Sequence, residues 1–333
     1  MHTCNWKDYA VFIRLLTFSQ GRGHSAGCGN VKRWLPLLLM LSILSGCASV
    51  RQVQYLLKST TLPLDRLEAP VAAAPATTIY AFDSGSNPRH AILFLTGSGC
   101  ASLVNYLRPY LDGLNEPFRI FALEKPGVQY RDSGWFCSEK FLAENYFEAR
   151  RDRTLAVVDW LLSGDAGDFE KVSLLGISEG GVIASEIAAL RSGISSLAII
   201  GSGGMPQRQA LRILHARGKA SVDIDALERQ VAKTPWSLDS SYGQTYRYWS
   251  SYFDVSPADA LLHTSVPILV IMGTKDNSEP IESLDYLVQV FAGAGKKNLD
   301  VKRLEGANHV LSRNGEDLKP GIMGMISEWT LKH

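Results

Sequence analysis

The sequence has little of what marks a metalloprotein, a nucleotide-binding protein or a nucleic-acid-binding protein. Over 333 residues the formal net charge is only +1, and basic residues are interspersed with acidic ones, so no positive stripe is available for nucleic acid. It contains no H-E-x-x-H, no paired C-x-x-C and no carboxylate cluster at ligand spacing, so we predict no metal. The stretch 96–99 lacks the lysine of a phosphate-binding loop, and we predict no cofactor.

The apolar run near the N-terminus is too short to span a bilayer as a stable helix. It lies in residues 31–47, whose basic start, apolar core and small-residue end are typical of a signal peptide. The segment ends in LSGC at Cys47, which resembles the bacterial lipobox, whose cysteine is lipidated. A plain secretory signal or a buried apolar segment is the alternative. Residues 1–30 lie upstream of this segment, so Val31 is a candidate for the true start.

Cysteine usage agrees with export. Of five cysteines, two fall in residues 1–30 and Cys47 is the predicted lipid site, which leaves Cys100 and Cys137. An exported protein with two remaining cysteines favours a disulfide, and two free thiols are the alternative. We expect a lipid-anchored protein of the cell envelope. Ala48 and Ser49 favour the outer membrane, facing the periplasm, because they lack the aspartate associated with inner-membrane retention.

From residue 77 to the C-terminus, short apolar runs alternate with stretches of helical spacing, which predicts an α/β domain with a mostly parallel sheet. The predicted strands are 79–82, 91–95, 119–123, 172–175, 197–200, 267–272 and 299–304, and the predicted helices include 144–162, 182–190 and 322–331. Residues 48–76, rich in proline and alanine, are predicted to be a linker. Residues 205–264 break the alternation and predict a helical cap, whose aromatic residues either line a pocket or pack the cap onto the core.

The segment from Lys171 to Gly181 carries the strongest motif. An apolar run ends in Gly176, Ser178 and Gly180, and a helix-like run of small residues follows. This G-x-S-x-G pattern between a strand and a helix is typical of a tight turn that holds a serine in a strained conformation with its hydroxyl exposed. The glycines are needed because a Cβ would not fit beside such a turn.

A serine hydroxyl needs a base to become a nucleophile, and the base is commonly a histidine oriented by a carboxylate. Asp276 follows the strand 267–272, and His309 follows the strand 299–304, so both are expected at the same edge of the sheet as Ser178. Glu279 is an alternative for the acid, and Asp276 alternatively caps the helix that begins near Pro280.

The G-x-S-x-G turn and the order Ser178, Asp276, His309 resemble the α/β-hydrolase superfamily over residues 77–333. The resemblance implies an eight-stranded, mostly parallel sheet with a cap inserted after the sixth strand. It also implies an oxyanion hole of two backbone N–H groups. One belongs to Glu179 and the other to the loop after the third strand, at Ser98 with Gly99 as the next choice. Many relatives have histidine at the position of Thr96, which leaves the second donor open.

These features predict an exported serine hydrolase that cleaves a carboxylic ester or related acyl bond of a small molecule through an acyl-enzyme on Ser178. A peptidase or acyltransferase with the same three residues is the first alternative. A binding module without catalytic activity, which keeps the fold and uses the cap as an interaction surface, is the second. We predict membrane attachment through the lipid and no nucleic-acid partner.

Overall fold

The computed structural model of the protein describes residues 64–68, 78–105, 107–220 and 222–333. The predicted signal segment, Cys47 and most of the predicted linker lie outside these residues, so those predictions stay untested. In the part of the chain that is described, every helix is too short or too polar to cross a bilayer.

An eight-stranded sheet has the order β1-β2-β4-β3-β5-β6-β9-β10. In chain order, the strands of the described residues are β1 (Asp65–Glu68), β2 (Thr78–Asp83), β3 (His90–Leu95), β4 (Phe118–Leu123), β5 (Lys171–Ile177), β6 (Ile194–Ile200), β7 (Ser240–Ser241), β8 (Gln244–Thr245), β9 (Ile268–Gly273), β10 (Leu299–Leu304), β11 (Ser312–Arg313) and β12 (Glu316–Asp317). β2 runs antiparallel to β1 and β4, and the remaining neighbours in the sheet are parallel. The predicted mostly parallel α/β fold is therefore confirmed.

Helices cover both faces of the sheet. They are α1 (Arg108–Leu111), α2 (Glu139–Glu144), α3 (Phe147–Leu162), α4 (Glu179–Leu190), α5 (Gln207–Ala216), α6 (Ile224–Val231), α7 (Tyr246–Tyr252), α8 (Pro257–Leu262), α9 (Ile281–Gly293) and α10 (Lys319–Lys332). The core on one face includes α1 and α10, and the core on the other includes α3, α4, α8 and α9. The helix–sheet–helix layering buries the inner strands on both sides, as their largely apolar sequences predict.

Alternation along β3 shows how each strand supplies both cores. All six residues of β3 are buried. Ala91 and Leu93 belong to the core beside α3 and α4, whereas Ile92 and Phe94 belong to the core beside α1 and α10. This two-residue period is the geometry of an extended chain. Because β4, β3, β5, β6, β9 and β10 run parallel, their carboxyl ends meet at one edge of the sheet.

Three elements differ from the sequence-based boundaries. Residues 65–68 lie in the segment predicted as a linker, but they form β1 and pair with β2. The helix predicted over 144–162 begins at Phe147, because α2 ends at Glu144 and Tyr146 is extended. Between β6 and β9, where the cap was predicted, the chain forms α5 to α8 and the short β7–β8 pair.

Candidate active site

Ser178 occupies a sharp turn between β5 and α4. Its φ of 54° and ψ of −123° are strained for a residue with a side chain. Its N–H donates to the carbonyl of Ile200 at 2.7 Å, which ties the turn to β6. A Cβ on Gly180 would lie 2.1 Å from the carbonyl oxygen of Leu95, and one on Gly176 would lie 2.5 Å from the carbonyl oxygen of Gly180. The two glycines therefore let the turn pack against β3 and against α4.

Asp276 and His309 meet at the carboxyl ends of β9 and β10. Nδ1 of His309 lies 2.7 Å from Oδ2 of Asp276, whose side chain is fully buried. The other carboxylate oxygen accepts the N–H groups of Ser278 at 2.7 Å and Glu279 at 2.9 Å. Because the carboxylate of Asp276 accepts a hydrogen bond from Nδ1–H, the Nε2 atom of His309 is left as the basic nitrogen. Asp276 thus contacts the histidine and does not cap α9, which begins after Pro280.

The charged groups around His309 favour its protonated form. Burial alone would lower its pKa, but the hydrogen bond and charge of Asp276, together with Glu279, outweigh burial and raise the pKa above its ordinary value of 6.5. Burial also raises the pKa of Glu279 to about 7, and the charge of Asp276 adds to this effect. The half-buried Glu279 carries no hydrogen bond from His309, so Asp276 is the acid in direct contact.

A cavity of about 230 Å³ joins these residues at the sheet edge. Ser178 and His309 line it from the sheet side, and Ser98 lines it from the loop after β3. Tyr248 and Tyr252 of α7 close it from the other side, together with Met205, Gln207, Ala210 and Leu211 around α5. Ser178, His309 and Ser98 therefore share one space, with aromatic cap residues as part of its wall.

The cap aromatics divide between the two uses that the sequence left open. Tyr248 and Tyr252 line the cavity, and both are nearly fully buried. Trp249 and Phe253 pack in the core, with their rings stacked 5.8 Å apart. Trp236 is exposed over half of its surface. Aromatic composition alone could not separate these positions, because the difference depends on which face of α7 meets the core.

Residues 96–99, which we call the oxyanion loop, lie directly beside Ser178. A Cβ on Gly97 would lie only 3.0 Å from the Cβ of Ser178. Ser98 is exposed and lines the cavity, whereas Gly99 has a positive φ of 94°. Glu179 is the first residue of α4, where an N–H has no partner within its own helix. The structure thus brings both suggested donor regions next to the serine.

Sequence reasoning missed a buried ion pair under the serine. The carboxylate of Glu179 pairs with the guanidinium of Arg150, and both side chains are less than a tenth exposed. The hydroxyls of Tyr248 and Tyr252 donate to the same carboxylate at 2.7 and 3.1 Å. Arg150 also donates to the carbonyl of Thr96 at 3.1 Å. The sequence signal was present, because Arg150 falls on the apolar face of α3 at helical spacing.

The buried side chain of Lys125 also touches the oxyanion loop. Nζ of Lys125 donates to the carbonyl of Gly99, and the side chain is 5% exposed. Its neighbour Glu124 is also buried and accepts the Ser102 hydroxyl and the Leu103 N–H, each at 2.9 Å. Burial raises the pKa of Glu124 to about 7. Each of these side chains therefore holds the chain after β3.

The predicted disulfide between Cys100 and Cys137 is present, with the two Cα atoms 5.5 Å apart. Cys100 directly follows the oxyanion loop, and Cys137 lies in the loop between β4 and α2. The bridge therefore joins two loops at the same edge of the sheet, the edge that carries Ser178.

The α/β-hydrolase fold and the hydrolase relatives below define the class of protein as a serine hydrolase of the α/β fold. The family model for the prolyl oligopeptidase family matches residues 143–323, more than half of the chain, and the chain belongs to that family. No curated protein matches the sequence significantly.

Several solved structures share the fold at low sequence identity. Est1E from Butyrivibrio proteoclasticus with bound ferulic acid has a TM-score of 0.57 at 18% identity, covering 78% of this chain and 96% of that one. A membrane phospholipase A described as a bacterial virulence factor has a TM-score of 0.53 at 18% identity, and the match covers 91% of this chain and 99% of that one. A puromycin-hydrolysing peptidase of Mycobacterium tuberculosis has a TM-score of 0.54 at 14% identity, and the match covers 80% of this chain and 37% of that one. Identities this low establish the fold alone.

Proposed function

We propose that this chain is an exported, lipid-anchored serine esterase. Ser178 is the nucleophile, His309 the general base and then acid, and Asp276 the group that orients His309. The backbone N–H of Glu179 and one N–H of the oxyanion loop, at Ser98 or Gly99, stabilise the charge on the carbonyl oxygen. The observation that carries the proposal is the shared cavity, where a strained Ser178 and a His309 held by a buried Asp276 face the same space.

The reaction has two balanced halves. In the first, Nε2 of His309 takes the hydroxyl proton as Oγ of Ser178 bonds to the ester carbonyl carbon, and the same proton then passes to the departing alcohol as the ester C–O bond breaks. In the second, water gives a proton to Nε2 and bonds to the acyl carbon. The Oγ–acyl bond breaks, Oγ regains a proton and the carboxylic acid leaves. Asp276 keeps Nδ1 protonated and stabilises the imidazolium.

The contacts of Glu179 favour an ester over a substrate bound through a free amine. Its carboxylate lies next to the nucleophile, where it would be the natural partner of a substrate ammonium group. However, Arg150 and the hydroxyls of Tyr248 and Tyr252 already occupy it. A second cation would find no uncompensated charge there. Esterases and a phospholipase A among the similar structures agree with this choice, although a peptidase is among them too.

Envelope location rests on the sequence alone. Residues 31–47 have the anatomy of a lipoprotein signal, and Cys47 is the proposed site of lipid attachment. Metabolic labelling with palmitate tests this part separately. We expect label in the wild-type protein and none in Cys47→Ser, and equal labelling of the two proteins would refute lipidation at this cysteine.

Fluorophosphonate labelling of the intact protein tests the nucleophile. We expect covalent labelling that is lost in Ser178→Ala and retained in Ser278→Ala, a matched control because Ser278 lines the same cavity and contributes only its backbone N–H to Asp276. A well-folded wild-type protein that takes no label would instead be a non-catalytic binding module.

A substrate panel then decides the reaction. We expect turnover of model carboxylic esters and little turnover of aminoacyl amides. Preference for the amides would make the protein a peptidase. Transfer of the acyl group to an added alcohol in preference to water would make it an acyltransferase.

A further inference from the structure

Two consecutive aromatic side chains project from the protein without cover. They are Trp135, 81% exposed, and Phe136, 88% exposed. They lie in residues 126–138 between β4 and α2, which we call the aromatic loop, and Tyr130 of the same loop is 55% exposed. Single exposed apolar residues need no explanation, but a Trp–Phe pair at one tip concentrates apolar surface in water.

The aromatic loop is fastened at several points. Cys137 forms the disulfide to Cys100. The carbonyl of Asp132 accepts the backbone N–H of Ser102 at 2.9 Å, and its carboxylate accepts the N–H of Gln129 at 2.7 Å. These attachments lie on both sides of the tip, so the aromatic rings are presented in a defined position. The exposure of Trp135 and Phe136 is thus a consequence of how the loop is built.

The tip stands at the edge of the sheet that carries the active site. The loops after β3, β4 and β5 leave the carboxyl ends of neighbouring parallel strands. The first holds the oxyanion loop and Cys100, the second is the aromatic loop, and the third is the turn of Ser178. Because the disulfide joins the first two directly, a surface that meets Trp135 and Phe136 also meets the edge where the substrate enters.

We propose that the aromatic loop docks the protein onto a zwitterionic phospholipid surface, from which it draws its ester substrates. This inference rests on the proposed esterase function. Trp and Tyr side chains favour the headgroup region of a bilayer, where an apolar ring and a polar edge are both accommodated. The charges beside the tip cancel, since Arg131 and Lys140 are matched by Asp132 and Glu139. The loop therefore offers aromatic insertion without attraction to anionic lipid.

The proposed lipid anchor on Cys47 would hold the domain near a membrane surface. Residues 47 and 64 are 17 positions apart in the chain. Even fully extended, such a segment spans about 60 Å. A lipid on Cys47 therefore keeps the domain within reach of a bilayer, and the aromatic loop is an exposed apolar feature at the active-site edge that can meet it.

The first experiment compares an ester dissolved in water with an ester held in a bilayer. The full chain carries Cys47→Ser so that an acyl anchor does not mask the loop, and it hydrolyses either a short-chain ester free in solution or a long-chain ester in phosphatidylcholine vesicles. We expect Trp135→Ser with Phe136→Ser to raise the lipid concentration at half-maximal rate about tenfold or more, because two aromatic side chains no longer leave water. The rate on the free ester should stay within twofold.

Leu190→Ser is the matched control. Leu190 is 48% exposed and ends α4, so it lies at the opposite edge of the sheet from Ser178. We expect it to leave both rates unchanged. The proposal is overturned when the double variant hydrolyses vesicle ester like the wild type, or when it loses activity equally on both substrates. A wild-type dimer that becomes monomeric in the double variant would assign the loop to self-association instead.

The second experiment does not depend on catalysis. Ser178→Ala protein is mixed with vesicles of brominated phosphatidylcholine, which quenches tryptophan fluorescence on contact. We expect more quenching than in the same protein with Trp135→Phe, and no loss of quenching at high salt. Equal quenching in the two proteins, or quenching only when anionic lipid is added, would refute the docking surface. If the Ser178→Ala protein is quenched but the protein with Ser178 hydrolyses no ester in the first experiment, the proposed function is refuted and the docking is left intact.

Discussion

Removing the guanidinium of Arg150 should be among the most damaging single changes away from the reacting atoms. Its side chain and that of Glu179 are 8% and 5% exposed, so both charges are out of bulk water. Without Arg150 the Glu179 carboxylate keeps only the hydroxyls of Tyr248 and Tyr252. Leaving one partner of a buried pair uncompensated costs about 3–5 kcal/mol. We therefore expect Arg150→Met to lower the free energy of unfolding by about that amount.

A double-mutant cycle measured by urea unfolding near neutral pH checks this reasoning. Glu179→Gln alone leaves a buried guanidinium with the carbonyl of Thr96 and should also destabilise the protein. Combining it with Arg150→Met removes both charges, so the loss in the double variant should be smaller than the sum of the single losses by about 2 kcal/mol or more. Strictly additive losses would show that the two charges do not stabilise each other.

Arg151→Met is the control for the cycle. Arg151 follows Arg150 on α3 and pairs with Asp152 at 2.9 Å, but these side chains are 30% and 63% exposed. Solvent screening limits such a pair to about 1 kcal/mol or less. A loss in Arg151→Met as large as that in Arg150→Met would refute burial as the cause.

Three further predictions concern the histidine, its acidic neighbours and the disulfide. Because the pKa of His309 is raised and only its neutral form accepts a proton, kcat/KM should fall as pH falls through a value above 6.5, and Asp276→Asn should lower kcat about 10³–10⁴-fold. Glu279→Gln removes a negative charge that favours the imidazolium, so the acid limb of the kcat/KM profile should move to lower pH; an unmoved limb would contradict this coupling. Replacing Cys100 and Cys137 with serine opens a link across 37 residues and should lower the free energy of unfolding in urea by about 4 kcal/mol, whereas a loss below about 1 kcal/mol would indicate a closed loop with little entropic effect.

The sequence predicted the inner strands and the strand-end residues because those signals are local. The apolar residues of β5, the glycines around Ser178 and the strands before Asp276 and His309 each lie within a few residues of the feature that they predict. Parallel topology then brings the strand ends to one edge. In contrast, β1 has the polar sequence DRLE, so its place in the sheet follows from pairing with β2 and not from apolar residues of its own.

The partner of each buried charge was the other feature that sequence patterns did not identify. Arg150 and Glu179 are 29 positions apart, and the tyrosines that complete the cluster come from the cap. A charge on the apolar face of a helix signals that a partner exists, but its identity follows from the tertiary fold. The consequence for function is direct, because this pairing turns a potential amine-binding carboxylate into a fixed support beneath the nucleophile.

Lys125 offers a separate test of whether the position of the oxyanion loop depends on the hydrogen bond from this side chain to the carbonyl of Gly99. Burial lowers the pKa of this lysine well below its ordinary range, and the positive charge of Arg150 acts in the same direction. Lys125→Met keeps the length of the side chain but leaves the Gly99 carbonyl without this donor. If that contact fixes the second N–H of the oxyanion hole, kcat should fall about 10–100-fold with KM nearly unchanged, a smaller loss than that of an oxyanion donor itself.

Lys140→Met, on the exposed first turn of α2, is the matched control and should leave kcat as it is. A rise in KM with unchanged kcat in Lys125→Met would mean that the lysine supports substrate binding only. In the proposed mechanism the loop 96–99 binds the negative charge that develops in the transition state, whereas the uncharged ester makes no such demand. A support that acts on the loop must therefore change the rate of the chemical step before it changes the affinity for the ester.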